Sequence, residues 1–525
     1  MGFESSRYID KINIFDAFSI FENMGITLTG SAWTWRVFSW STRALLPLIF
    51  LLLVSSCQED PVPGPGNSDP EDPVFAVETG NSAIPYVVIE TQGTGILNEP
   101  KIHAEMIIYQ QKAEIKRAQI GIEYRGSTSF RISDKKSFGI ETWDLQGNDV
   151  DVAFFGFPEE EDFILSGQIL DTTDHWGFDR TMMYNYLGYN LFRDMGSYAS
   201  RTQFVELEIN GEYLGVYVFM EKLKRDRNRI DIATLDPTEN TPELISGGYV
   251  LKIDKTSGGD LNLNQPLEYF ENNWDDDARY TEDISFRSDY DIHGEIINFD
   301  AFGAPYHSNM YLETYFLYEY PKAIQISESQ KAYIQLYIHN FETALLNDDF
   351  TSDERTYTEY IDLESFVDFF IINELTRNVD GYRLSTYLYK DRGEKLKMGP
   401  IWDLDIGYFS GDRIPMDDWV INYNTYVDRD AWMLPFWWKR LMEDPVFRNA
   451  LKTRWNELRV GVLSTAHLLQ RVDEAASYLE SNGAAERNYQ KWDQGSGFSY
   501  QAQIESLKSY LQNRSQWMDG KISAL

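Results

Sequence analysis

Three aspartates crowd one short stretch of the chain. Asp380 stands just past an apolar helical pattern, and Asp403 and Asp405 follow two residues apart in Gly399-Pro-Ile-Trp-Asp403-Leu-Asp405-Ile-Gly407. On an extended segment, residues i and i+2 project to one face. That spacing lets Asp403 and Asp405 share a hard cation, with Trp402 and Leu404 turned the other way. Clustered carboxylates in apolar surroundings repel one another unless a cation or a proton relieves them. The plain alternative is that the two aspartates cap or solvate a loop. A two-carboxylate or metal-assisted hydrolase fits less well, because neighbours on one strand face lie on the same side of a substrate whereas glycosidase carboxyls flank the bond. The histidines show no metal-ligand spacing, and the chain has neither a Gly-x-Gly-x-x-Gly nor a Walker lysine loop.

The elements that must carry these residues are strands first and helices later. Strand patterns run over Ile84 to Glu90, Ala104 to Tyr109, Ile120 to Tyr124 and Ser137 to Thr142. Phe204 to Glu221 is a hairpin: alternation puts Val205, Leu207 and Ile209 on one face, and Asn210-Gly211 suits the two positive φ angles of a tight turn. Gly248 to Asp254 reads as a further strand beside it, and Asp179 to Met195 as a helix. Residues 256–310, rich in Gly, Asn and Asp, read as an elaborated loop region. In the second half Asp362 is a fitting N-cap for Leu363, Phe366, Val367, Phe370, Ile371 and Leu375 at helical spacing. A strand at Ser385 to Lys390, a turn at Asp391 to Gly393, and helices from Trp432 onward complete the pattern. No repeat of 20 to 50 residues is present. The expected class is α+β, with a mostly antiparallel sheet in the first half and a helical second half.

Taken in order, these motifs resemble the spore coat protein H (CotH) kinase family. The resemblance rests on Asn378-Val-Asp380, Tyr387-Leu-Tyr389-Lys-Asp391 and Trp402-Asp-Leu-Asp-Ile-Gly407. Upstream it adds Arg125-Gly-Ser127, Lys135-Lys136, Arg180, Asn210-Gly-Glu-Tyr-Leu-Gly215-Val-Tyr217, Glu221 and Gly247-Gly-Tyr249. It spans residues 84–525 and implies an atypical, minimal protein-kinase-like fold that moves phosphate from ATP to Ser or Thr of a protein with Mg²⁺ or Mn²⁺. By that resemblance Asp380 is the catalytic aspartate and Asp403 the metal-binding one, with Asp405 beside it. Lys136 is the candidate to pair with phosphates, Glu221 to stand near the nucleotide, and Arg125 and Gly126 to form a loop near the phosphates. Other roles stay open: Lys136 as a solvated strand-end lysine, Glu221 paired with Lys222 or Lys224, and Arg125 as a brace for carboxylates of the fold. One position departs from the kinase pattern. Ser385 stands five residues after Asp380, where an asparagine would hold a second metal.

The N-terminal region adds an address. Arg43 precedes the apolar run Ala44 to Val54, which ends in Ser55-Ser56-Cys57, the layout of a bacterial lipoprotein signal. The run is shorter than the roughly 20 residues a membrane-spanning helix needs. Residues 1–56 thus read as a signal region, with Met24 an alternative start, and Cys57, the sole cysteine, as the lipid-bearing residue. Residues 57–82 read as a Pro-, Asp- and Glu-rich tether. Gln58-Glu59-Asp60 resembles the acidic signal by which some Bacteroidota lipoproteins reach the outer face of the outer membrane. The formal charge of -36 excludes nucleic acid as a partner. The 33 Tyr and 14 Trp residues suit a surface glycan as well as a core, so a non-catalytic binding module is the competing function.

Overall fold

The computed structural model describes residues 73–126, 128–256, 280–303, 307–408, 413–493, 495 and 497–525. The chain divides into Met1–Pro70 and Glu71–Leu525, and the described residues all belong to the second unit. The signal region, Cys57 and most of the tether lie outside them. The end of the tether belongs to the fold: Phe75 stacks on Tyr86 with centroids 4.3 Å apart, and the Ala76 N–H donates to Glu208 at 2.8 Å.

Fourteen strands are described: β1 (Tyr86–Glu90), β2 (Ile102–Gln110), β3 (Ala113–Arg125), β4 (Ser137–Trp143), β5 (Asp162–Ser166), β6 (Leu170–Asp171), β7 (Trp176–Gly177), β8 (Thr202–Ile209), β9 (Glu212–Glu221), β10 (Tyr249–Ile253), β11 (Ser285–Arg287), β12 (Tyr315–Tyr320), β13 (Thr386–Lys390) and β14 (Leu396–Met398). Seven close into a barrel in the order β1-β2-β3-β4-β5-β9-β8, sealed by the parallel pair β8 and β1. Period-two alternation divides their side chains between two cores. Phe163, Leu165, Val205, Leu207, Tyr217 and Phe219 fill the barrel. Their neighbours Ile164, Phe204, Val216, Val218 and Met220 point outward into the larger core. The β8–β9 turn has the predicted positive φ at Asn210 (50°) and Gly211 (77°).

The second sheet runs β11-β12-β10-β13-β14, all antiparallel. Here the sequence-based expectation is corrected: β10 does not lie beside the β8–β9 hairpin but pairs with β12 and β13. Its apolar side chains are buried among β12, β13 and the helices, a long-range match that local alternation does not specify. Ile253 pairs with Thr386, so Asp254 and Lys255 emerge at the same sheet end as Ser385.

Eight helices matter for the site and its support: α1 (Thr128–Ile132), α2 (Tyr184–Asp194), α3 (Glu328–Leu346), α4 (Leu363–Thr376), α5 (Pro445–Arg459), α6 (Thr465–Ser481), α7 (Ala484–Lys491) and α8 (Tyr500–Ser523). Helix α2 begins five residues later than Asp179. The Asp179 carboxylate accepts from the Thr181 and Tyr184 N–H groups at 3.0 and 2.8 Å, which holds the chain in a turn before the helix starts. Asp362 caps α4 as expected, accepting the Ser365 N–H at 2.9 Å. Every residue of α4 from Phe366 to Thr376 is buried, so it is a central helix with no solvent stripe. Its Glu374 pairs with Arg514 of α8 at 2.9 Å. Barrel and helices are joined where Arg487 of α7 grips Glu206 of β8 at 2.8 and 2.6 Å. No helix among the described residues is long and apolar enough to cross a membrane.

A second buried acid gives the fold a pH signature. Glu342 of α3 accepts from Ser288 Oγ at 2.8 Å and Trp437 Nε1 at 2.9 Å, and burial pushes its carboxyl up to about 8. The native state therefore keeps a proton that the unfolded chain releases from about pH 4.5. Its contribution is full below that value and is lost as pH rises through about 8. Glu342→Gln imitates the protonated acid. We expect thermal melts to show wild type losing stability relative to Glu342→Gln between pH 5 and 8, by an amount on the order of a few kcal/mol.

Candidate functional site

The acidic site forms where the end of α4, the 401–408 loop and the ends of two sheets meet. Helix α4 stops at Arg377, whose φ of 50° turns the chain. Asn378 follows, buried, with its carboxamide between two loops: Oδ1 accepts the Asp380 N–H at 3.3 Å and Nδ2 donates to the Asp403 carbonyl at 3.4 Å. The turn that follows is closed by the Arg383 and Leu384 N–H groups, which donate to the Asp380 carbonyl at 3.0 and 2.9 Å. Arg383 then returns its guanidinium to the Asp380 carboxylate at 2.5 Å, and Arg413 stands 3.7 Å from the same oxygen. Arg383 is itself buried and held by the Trp432 carbonyl at 2.8 Å and the Val379 carbonyl at 3.2 Å. Asp380 thus has a fixed orientation.

The Asp403 loop is not the extended segment expected. Asp403 has φ 58°, in the left-handed region, and residues 405–408 form a turn. The carboxylates nevertheless meet, because the kink at Asp403 and the turn fold the two side chains together rather than alternation aligning them. Burial first, then the charge of Asp403, drives the Asp405 carboxyl well above the usual range. Leu404 is buried as anticipated, and Trp402 is half-buried, with Arg125 5.7 Å over its ring. Ser385, with φ 47°, directs its hydroxyl to Asp403 Oδ2 at 3.4 Å. Among the described residues, Asp380, Asp403 and Asp405 do not bring their carboxylate oxygens all within 4.8 Å of one another.

Cations stand round this acid. Arg125 ends β3, and its backbone pairs with Ser137, so Gly126 and Lys136 lie at the same strand end. Gly126 has φ 97° and leads into α1, where a Cβ at its position would meet Ser129 Oγ at 2.2 Å. Ser127 lies outside the described residues. Lys136 Nζ donates to the Phe130 carbonyl of α1 at 2.5 Å and lies 4.5 Å from that ring. Lys255, at the end of β10, went unnoticed in the sequence. Burial lowers its ammonium, and Asp254, Asp380 and Asp403 push it back up, while Arg131 of α1 acts with the burial. The Lys255 charge is therefore within electrostatic reach of both catalytic candidates. Only its position after β10, legible once the sheet order is known, marks it out.

Two residues of the motif set fall elsewhere. Glu221 is buried and accepts from Arg201 Nη1 at 2.7 Å, the Arg201 N–H at 2.9 Å and the Tyr198 hydroxyl at 3.3 Å. It braces the ends of β8 and β9. Lys222 and Lys224 pair instead with Asp162, and Lys224 also with Glu160 and Glu161, at 2.6 to 3.1 Å. Lys224 thereby pairs with two members of the other acidic group, Asp151, Glu160 and Glu161. Lys135 is fully buried, donating to Gln168, the Val216 carbonyl and Asn488, so it ties the barrel to α7. Gln168 in turn lines a small polar cavity with Asp179, Asn185 and Asp405.

The barrel, the second sheet and the helical half make this an α+β protein whose paired and single aspartates gather at the junction under fixed cations. The family model described as CotH kinase protein matches residues 122–518, and the chain belongs to that family, whose membership suggests kinase-like phosphotransferase activity. Among the curated proteins, none matches the chain.

Asn378→Ala removes the link between the two aspartate loops. We expect urea unfolding to show a loss of about 1 kcal/mol, and limited proteolysis to cut within 401–408 faster than in wild type.

Proposed function

We propose that the protein transfers the γ-phosphoryl group of ATP to Ser or Thr of an envelope or cell-surface protein, with Mg²⁺ or Mn²⁺. The observation that carries this reading is the Asp403–Asp405 pair, two neighbouring carboxyls on one loop, where burial and the charge of Asp403 drive Asp405 well above the usual range. Such a pair presents hard oxygen donors where a divalent cation relieves the repulsion, and Ser385 Oγ adds a third oxygen. Asp403 is the exposed member and Asp405 the half-buried one, so Asp403 is the ligand that faces a nucleotide. When bound, the metal neutralises charge spreading over the phosphate oxygens.

The chain supplies the remainder. Lys255 lies within electrostatic reach of Asp380 and Asp403, Arg131 within reach of Lys255, and Arg125 over Trp402; all three suit the phosphates of ATP, with Lys136 at the same strand end as Arg125. Asp380, held by Arg383, stands apart from the pair at a place suited to an acceptor hydroxyl. In the transfer the hydroxyl oxygen bonds to the γ-phosphorus, the bond to the bridging oxygen breaks, ADP leaves, and Asp380 takes the hydroxyl proton. The hydrolase reading loses ground, because both carboxyls come from one short loop, whereas the carboxyls of a glycosidase flank the scissile bond. A second reading keeps the fold as a glycan- or protein-binding module without turnover. Ser385 favours it, since a hydroxyl is a poorer metal ligand than a carboxamide.

Residues 73–525 are expected to label themselves or a Ser/Thr-rich protein from labelled ATP with Mn²⁺ or Mg²⁺. Asp403→Ala and Asp380→Ala should each lower labelling at least a hundredfold, with Asp403→Ala also weakening nucleotide binding. Unchanged labelling in Asp403→Ala contradicts the reading, and glycan binding without any nucleotide response supports the module.

The location belongs to the same proposal: an exported lipoprotein carried on a membrane by lipid on Cys57, in the outer membrane or at the cell surface. The basic residue, short apolar run and Ser55-Ser56-Cys57 support it. In a bacterial host, Cys57→Ser should abolish incorporation of labelled fatty acid and move the protein from the membrane to the soluble fraction.

A further inference from the structure

We infer that α2 is the clamp that shapes the Asp403–Asp405 loop for its metal, and that Asn185 and Tyr189 are positioning residues for the reaction, an inference that rests on the phosphotransferase reading. Residues 185, 188 and 189 share one helical face at i, i+3 and i+4. Asn185 uses both ends of its carboxamide on the loop. Oδ1 accepts the Leu404 N–H at 2.8 Å and Nδ2 donates to Asp405 Oδ1 at 2.6 Å. Tyr189 accepts the Asp403 N–H on its hydroxyl at 3.1 Å, and its ring stacks on Trp402 with centroids 5.8 Å apart and planes 15° from parallel. Between them Gly188 has no side chain to offer. A Cβ there would fall 2.0 Å from Leu404 Cδ1, so glycine lets the loop lie directly on the helix.

Three consecutive loop residues are thus held by one face of α2, each by a different atom. Tyr189 and Leu404 are fully buried and Asn185 nearly so, which leaves these hydrogen bonds shielded from water. The loop's other side rests on α4, where the Thr376 carbonyl accepts the Tyr408 N–H at 2.5 Å. The clamp answers a specific need. Asp403 must keep a left-handed backbone, costly for a residue other than glycine, and Asp405 must keep its carboxyl against another acid. Asn185 opposes both tendencies: it fixes the residue after the kink and gives the buried carboxyl a neutral donor. Partners of this kind, one bond removed from a metal, set ligand orientation.

Asn185→Ala and Tyr189→Phe test the clamp. Tyr189→Phe keeps the stacked ring and removes only the hydroxyl. Two measurements separate clamp from general stability: hydrogen exchange of the peptide covering 401–408, and Mn²⁺ binding with ATP, read from water-proton relaxation. Both variants should exchange the 401–408 amides faster while α4 and the barrel strands keep wild-type protection. Asn185→Ala should weaken Mn²⁺ about tenfold or more, and raise the metal requirement of labelling by a similar factor. Unchanged Mn²⁺ affinity in both variants overturns the inference, as does a loss of protection spread over the whole fold, while leaving the functional reading intact. If wild type binds neither Mn²⁺ nor ATP, the functional reading fails, and the clamp falls with it.

Discussion

Like charges held close together set the terms for this structure. Asp403 and Asp405 are neighbours on one loop, Asp405 half-buried and pushed well above the usual carboxyl range, and Asp380 stands on a second loop tied to it through Asn378. In a low-dielectric setting such groups neutralise or move apart unless the surroundings hold them. The protein holds them with groups that are already buried and committed. Arg383 fixes Asp380, Asn185 fixes Asp405, and Asn378 spans the backbone of both loops. None of these is a long surface side chain that must be ordered on binding, which is the arrangement an electrostatic site requires.

The frame converges from remote parts of the chain. Asn185 and Asp405 are 220 residues apart, and Lys255 reaches the site because β10 pairs with β13 just after Ser385. The barrel contributes Arg125 at one strand end, and the buried Lys135 joins the barrel to α7. Strands β5, β8 and β9 each give side chains to both cores and so tie the acidic loops and the cationic strand ends into one body. Ser385 tempers the chemistry expected of that body. Its hydroxyl stands 3.4 Å from Asp403 Oδ2, and to the proposed metal it would offer only a hydroxyl.

Features governed by near neighbours were legible in the sequence. The Asn210-Gly211 turn, the Asp362 cap and the alternation of Val205, Leu207 and Ile209 all appear as read, because each depends on a few adjacent residues. Asp380, Asp403 and Asp405 were also legible, through residue type and spacing. The reason for their contact was not. A left-handed Asp403 brings the pair together, and no local pattern announces it. The sheet to which β10 belongs was missed for a related reason: an apolar strand fits either neighbour, and the choice is made by distant side chains. No local pattern marks Lys255 or Asn185, because their significance lies only in what folding sets beside them. Glu221 had motif order in its favour, yet its charge is spent on Arg201.

The most direct test is an anomalous-scattering crystal structure of residues 73–525 grown with Mn²⁺ and a non-hydrolysable ATP analogue. The account predicts a manganese peak about 2 Å from carboxylate oxygens of Asp403 and Asp405, with the phosphates facing Lys255 and Arg125. A peak at Asp151, Glu160 and Glu161 instead, or nucleotide bound away from Asp403, would contradict it.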